Sequence, residues 1–234
     1  MRLSQSVYFY PTSDKLDFSE ENFSSNAVLI DGREKLLIDP GRPRRWPALK
    51  SLIEADGLDP ADISLLLFTH SHPDHLEAGR LLAREYGADL ALAEPEISFL
   101  KTSQGLEFFS PEDHLSVAAG PYTPLQEGFW SFGGHSLELL LTPGHSPGGL
   151  SLFFPAEKVL AVGDLYFPGT IGAFHYPGGR ARDMYASVAR LEALAGVETV
   201  LCGHGPAIVG RAAILANYET LNAEIAAKKA AGIV

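Results

Sequence analysis

The apolar run Ile63–Phe68 leads directly into Thr69-His70-Ser71-His72-Pro73-Asp74-His75. No other feature constrains the fold as tightly. A short apolar run of this kind suits a strand covered on both faces, and so a strand inside a layered structure. The three imidazoles and one carboxylate that follow would be poor core residues, because each buried polar group needs a partner. A chain leaving a strand can turn such side chains toward one point. Imidazole is a good ligand for zinc, iron and nickel, and carboxylate suits harder ions. The segment therefore reads as a metal-binding turn at the end of a buried strand.

Three later segments repeat the pattern. Leu141-Thr142-Pro143-Gly144-His145 ends a strand with a His, Ala161-Val162-Gly163-Asp164 ends one with an Asp, and Leu201-Cys202-Gly203-His204-Gly205-Pro206 ends one with a His. A Gly beside each candidate ligand lets the backbone come close to a crowded site. A lone His after a strand is more often a surface or core residue, and an Asp after Gly is more often a turn residue. Four such segments in one chain reverse that balance. Ser71 and Ser146 stand beside candidate ligands and suit loop hydrogen bonds. His114 and His135 have no partner pattern and read as non-ligands. Cys202 reads as buried rather than reactive.

The rest of the sequence reads as one domain over residues 1–234, with no repeat, low-complexity tract or Ser/Gly/Pro linker. Strands are expected at Val7–Tyr10, Ala27–Ile30 and Lys35–Asp39, with Asp31-Gly32 as a tight turn. Helices are expected from about Pro47, from Leu76 to Tyr86 with a stop near Gly87, over Ala181–Leu194, and from about Arg211. A hairpin of Phe129–Phe132 and Ser136–Leu141, a pair Leu150–Phe154 and Val159–Val162, and a strand Val197–Leu201 complete the second half. Between Lys101 and Gly128 the periodicity weakens. With a single cysteine no intrachain disulfide can form. The net charge of -11 disfavours a nucleic-acid partner, whose phosphates must be neutralised. No apolar run approaches the ~20 residues that span a bilayer, and the first residues lack a secretory h-region, so no membrane partner is expected and a cytoplasmic location is the default.

On these motifs the chain resembles the metallo-β-lactamase-fold hydrolases. The likeness runs from Leu37-Ile38-Asp39-Pro40-Gly41 to the Gly-His-Gly-Pro at 203–206, and His-x-His-x-Asp-His is its most specific part. The resemblance implies an α/β (α+β) fold, a four-layer αββα sandwich with metals at one edge. It also implies a ligand set for two divalent ions. His70, His72 and His145 would hold the first, Asp74, His75 and His204 the second, and Asp164 would bridge them. The absence of Cys from the second set points away from a true β-lactamase. Gly163-Asp164-Leu165-Tyr166-Phe167 and Ile171-Gly172…Pro177-Gly178-Gly179 are similar to the type II glyoxalases, which cleave glutathione thioesters. Thr142-Pro143-Gly144-His145-Ser146-Pro147-Gly148 is shared more widely, including with lactonases and persulfide dioxygenases. Ala173 stands where single-domain glyoxalase-like proteins often have Arg, and the sequence lacks a long C-terminal substrate-binding domain.

The activity so implied is hydrolysis of a small-molecule thioester, ester or lactone by a hydroxide shared between two ions about 3.5–4 Å apart. Asp74 and Asp164 would help move protons. Zinc is the default metal, with iron and manganese as alternatives. Phe108, Phe109, Tyr122, Tyr166, Phe174, His175 and Tyr176 are expected around the pocket, with Tyr166 as a hydroxyl near the substrate. Arg180 and Arg182 could hold a substrate carboxylate. Two other readings are a mononuclear iron persulfide dioxygenase using His70, His145 and Asp164, and a non-catalytic binding module. A homodimer is compatible with the sequence.

Overall fold

Alternation along the first strands divides their side chains between two apolar layers. The computed structural model describes residues 2–13, 16 and 23–234. In β1 (Val7–Tyr10), Val7 and Phe9 enter one core cluster while Tyr8 and Tyr10 enter another. β2 (Ala27–Ile30) divides in the same way, with Val28 and Ile30 on one side and Ala27 and Leu29 on the other. A strand buried on both faces needs cover on both sides. β3 (Lys35–Ile38) returns antiparallel to β2, and α1 (Trp46–Ala55) leads to β4 (Ile63–Leu67), which runs parallel to β3. α2 (Pro73–Tyr86) crosses to β5 (Asp89–Ala93). Three short helices follow, α3 (Glu94–Phe99), α4 (Ser103–Leu106) and α5 (His114–Ala118), before the edge strand β6 (Tyr122–Leu125). The first sheet has the order β1-β2-β3-β4-β5-β6.

The second sheet begins with the hairpin β7 (Gly128–Phe132) and β8 (His135–Leu141). It continues through β9 (Leu150–Phe154) and β10 (Val159–Gly163). A small hairpin of β11 (Tyr166–Phe167) and β12 (Thr170–Ile171) precedes α6 (Ala181–Glu192). The chain then forms β13 (Thr199–Cys202), β14 (Ile208–Val209) and α7 (Arg211–Ala230). The sheet order is β14-β13-β10-β9-β8-β7.

Three apolar layers hold this arrangement together. Phe9, Ile30 and Leu67 of the first sheet meet Leu139, Phe154 and Leu201 of the second. Leu49 and Ile53 of α1 and Leu76 and Leu82 of α2 cover the outer face of the first sheet at Leu29, Leu37 and Leu66. Met184 and Val188 of α6 and Ile214 and Leu221 of α7 cover the second at Leu160, Val162 and Val200. Each such side chain, fully buried, contributes about 1.5–3 kcal/mol. The result is helix, sheet, sheet, helix, the four layers expected. No helix among the described residues is long and apolar enough to cross a membrane.

The departures from the sequence reading are local. α2 begins at Pro73 rather than near Leu76, so Asp74 and His75 lie in its first turn. Pro73 has the φ a helix start requires, and His72 before it is extended. Gly87 stops this helix in the left-handed region, φ 71°. The weak segment after Lys101 holds α4, α5 and β6, elements too short to show a clear period. The sequence reading also passes over β5, whose alternating Ala residues are poor strand formers held there by burial. His135 lies at the opposite turn end, with Nδ1 3.0 Å from Glu157 and Nε2 3.0 Å from the Asp31 carbonyl.

Pairing directions decide where the site forms. β3, β4 and β5 are mutually parallel, and β10 is parallel to β13. β8 and β10 both run antiparallel to the β9 between them. The C-terminal ends of these strands therefore share one edge, which is closed by Gly203 N–H donating to Gly163 O and Leu150 N–H donating to Thr69 O. At the end of β8 the backbone folds against α6. Gly144 has φ 138°, and a Cβ there would lie 2.3 Å from the Met184 Cα. Replacing Gly144 with Ala should destabilise the fold by about 1–3 kcal/mol, read as a lowered Tm. An unchanged Tm would show that α6 can yield there freely.

Candidate metal centre

Each of the four strand-end segments delivers its side chains to the shared edge. His70 and His72 lie on the loop after β4, Asp74 and His75 on the first turn of α2, His145 after β8, Asp164 after β10 and His204 after β13. All seven are buried. They form three overlapping groups whose ligand atoms lie within 4.8 Å of one another: His70, His72 and His145; His70, His75 and Asp164; and Asp74, His75 and His204. The nearest approaches are short. His145 Nε2 is 2.9 Å from His72 Nδ1, His204 Nε2 is 3.1 Å from Asp74 Oδ2 and 3.4 Å from Asp164 Oδ2, and His75 Nε2 is 3.3 Å from Asp164 Oδ1. Gly203 makes this closeness possible, since a Cβ there would stand 2.0 Å from Asp164 Oδ1.

The far side of the cluster is held by the protein. His145 Nδ1 lies 2.6 Å from the Ala173 carbonyl and donates to it, which leaves Nε2 as a lone-pair donor toward the centre. His75 Nδ1 lies 2.9 Å from Asp39 Oδ2, so its Nε2 also faces inward. Asp39 accepts in addition from Thr69 N–H at 2.8 Å and Thr69 Oγ1 at 2.7 Å. It stands at φ 50°, uncommon for a residue with a side chain. Glu96, fully buried after β5, accepts from the backbone and hydroxyl of Ser71 and from Gly148 N–H at 2.7 Å. It thereby ties the His70–His72 loop to the loop that follows His145.

Charge within the cluster divides in two. Burial pushes the His70 imidazole far below its usual range, His72 down to about 3 and His145 down, so these three are neutral. Burial opposes charge on His75 and His204 as well, but the carboxylates around them together outweigh it: Asp164, Asp39 and Asp74 at His75, and Asp164 and Asp74 at His204. His75 is driven well up and His204 up to about 9. Burial would raise Asp164, yet the His204 and His75 imidazoles beside it hold it well below the carboxylate range. The donors fit divalent cations: nitrogen and carboxylate oxygen only, with Nε2 of His70 and Nε2 of His72 buried and without a hydrogen-bond partner. Uncharged imidazoles with free lone pairs are the form a metal takes.

Beside the cluster opens a cleft of about 700 Å³, reached by His72, Asp74, His145 and Asp164. Phe108, Phe174, His175 and Tyr176 line it as the sequence suggested, Phe108 with its ring centre 4.4 Å from that of His72. Other expectations do not hold. Tyr166 turns into the core under α7, where its hydroxyl meets that of Tyr218 at 2.9 Å, so it is not at the cleft. The chain leaves β10 through Gly163 at φ 53° and turns over Asp164 and Leu165, where Leu165 N–H donates to Val162 O, so that Tyr166 opens β11 on the helix-covered side. Phe109 and Tyr122 belong to the core beneath α2. Arg180 and Arg182 are exposed at the start of α6 and do not line the cleft. Arg42, Phe167, Ile171, Glu224 and Lys228 do line it and escaped notice. Asp39 also escaped, although it ends β3 just as Asp164 ends β10, and the same strand-end logic would have found it. Replacing Asp39 with Ala should lower divalent-cation affinity by about 10–100-fold, measured by competition with a chromogenic chelator. Unchanged affinity would show that His75 is oriented without it.

Comparison with known proteins agrees with this geometry. The family model "Metallo-beta-lactamase superfamily" matches residues 21–204. The probable metallo-hydrolase MJ0888 of Methanocaldococcus jannaschii is 29% identical over 189 residues, 78% of this chain and 88% of that protein. The hydroxyacylglutathione hydrolase GloC of Haemophilus influenzae is 29% identical over 190 residues, 78% of this chain and 86% of that protein. Among solved structures, the metallo-beta-lactamase family protein TTHA1429 from Thermus thermophilus superposes with a TM-score of 0.77 over 98% of this chain and 82% of its own, at 23% identity. TTHA1623 in a di-iron-bound form gives 0.65 over 80% of this chain and 90% of its own, at 28% identity. From a strand-edge cluster of His and Asp in a four-layer sandwich, and from these matches, the chain belongs to the metallo-beta-lactamase superfamily of hydrolases.

Proposed function

We propose that this hydrolase cleaves a small thioester, ester or lactone in the cytoplasm, in the manner of the type II glyoxalases, with two divalent ions held by the seven residues and zinc as the first choice of metal. The observation that carries this reading is the pair of buried, unbonded imidazole nitrogens of His70 and His72, the second of which reaches the aromatic-walled cleft. GloC, a relative acting on a thioester by its name, supports the substrate class, and the di-iron form of TTHA1623 supports two ions. The carboxylate-bearing group of Asp74, His75 and His204 is buried and convergent like the His group, which favours a second ion over a mononuclear iron site.

Bound divalent ions supply an acidified water and a positive charge to polarise a carbonyl. The chain's own residues do the rest. Phe108 and Tyr176 stand over His72, with Tyr176 also 6.5 Å from His145, and seat an apolar group while excluding bulk water. Asp74 and Asp164 are the carboxylates that both line the cleft and belong to the cluster, so either can accept a proton from the attacking water and return it to the leaving group. Ala173 fixes the His145 tautomer through its carbonyl.

A hydrolysis screen over thioesters, lactones and β-lactams, with metal content measured on the same sample, tests the reading. Thioester or lactone turnover with two ions per chain is expected. One tightly bound iron with oxygen uptake on a glutathione persulfide would overturn it. Replacing His70 or Asp164 with Ala should cut turnover at least a thousandfold, on the order of 4 kcal/mol, with the far-UV spectrum unchanged. Full activity in either variant would exclude a metal mechanism.

A further inference from the structure

Beyond the cluster, the cleft wall carries charge opposite in sign to the protein as a whole. The chain has 18 basic and 29 acidic residues. Yet the described Arg, Lys, Asp and Glu residues lining the cleft outside the metal-binding set are Arg42, Lys228 and Glu224. Two of these are engaged elsewhere. Glu224 Oε2 accepts from Thr170 Oγ1 and from Ile171 N–H, both at 3.0 Å, and so fastens α7 to β12. Arg42 pairs with Glu77 at 2.9 Å and donates to the Phe23 carbonyl.

Lys228 is placed differently. Its Nζ lies 3.4 Å from Glu224 Oε1, long for a hydrogen bond, and 5.6 Å from the centre of the Phe174 ring. An ammonium has three donors, and this contact uses at most one. The stem lies along an aromatic wall with the charge at the cleft, as amphipathic side chains do. Lys229 provides the comparison. Both lysines sit in the last turn of α7, where any cation suits the helix dipole. Lys229 lies over Tyr185 and does not line the cleft. The dipole accounts for both charges but not for the direction of Lys228.

We propose that the substrate carries a carboxylate that Lys228 receives, with an apolar segment lying along Phe174 and Ile171 between that anion and the reacting carbonyl. This rests on the hydrolase reading for the reacting end alone. The class is therefore an amphipathic acyl compound with an anionic tail, not a neutral ester or an uncharged lactone.

The test is calorimetric binding of short α,ω-dicarboxylates of graded length, succinate to suberate, and of their monomethyl esters to the metal-loaded protein. One carboxylate in each probe stands for the product acid at the metals. At the best length the dicarboxylate should bind about tenfold tighter than its monoester, the scale of one charge-assisted hydrogen bond. Lys228→Met should bring that ratio near one, Lys228→Arg should restore most of it, and Lys229→Met should leave it unchanged. Equal affinities, no binding of any dicarboxylate, or a preference that survives Lys228→Met would overturn the proposal. The expected pattern in a protein that turns over no thioester, ester or lactone would defeat the hydrolase reading and leave the carboxylate seat standing.

Discussion

Five imidazoles and two carboxylates buried in one place cost free energy unless each has a partner, and much of the molecule is arranged to supply them. The carboxylates hold two of the imidazoles as cations, while the remaining three stay neutral. Each ring that is tied from behind presents its other nitrogen inward: His75 through Asp39 and His145 through the Ala173 carbonyl. Asp39 in turn needs a backbone of positive φ at the end of β3 and a hydroxyl from Thr69. The cluster, its supporting hydrogen bonds and the strand ends form one connected unit.

The two sheets stand in a simple relation to that unit. They provide stiffness through three apolar layers and direction through parallel pairing, which brings the ends of β3, β4, β5, β8, β10 and β13 to one edge. Glycine appears where backbone crowds the strand ends, at Gly144 against α6 and at Gly203 against Asp164. A Cβ at Gly203 would displace Asp164 directly, and one at Gly144 would shift the loop that carries His145.

The His- and Asp-bearing turns and most long elements were legible in the sequence because both are local patterns. Apolar alternation marks a strand, and a His or Asp beside Gly marks its end. What was not legible depends on residues far apart in sequence. Glu96 matters because Ser71 and Gly148 meet it, and Lys228 because α7 folds back over β12. Tyr166 shows the opposite error. Its nearness to Asp164 along the chain suggested nearness to substrate, but a turn at Asp164 and Leu165 separates the two, and its hydroxyl lies with Tyr218. Arg180 and Arg182 were suggested by the sequence as anion holders, while the cleft's cations come from the loop after β3 and from α7.

The bond between Glu224 and β12 has a consequence for how such a protein can diversify. It makes α7, an otherwise largely solvent-facing helix, part of the cleft wall, while none of the seven clustered His and Asp residues lies on it. The buried His and Asp cluster and this part of the cleft wall thus lie on separate stretches of chain, one at the strand ends and one on the last helix. Exchanges along that helix can alter what the cleft admits and leave the reacting centre as it was. A scaffold divided in this way can acquire new substrates by small steps, each of which keeps the chemistry intact.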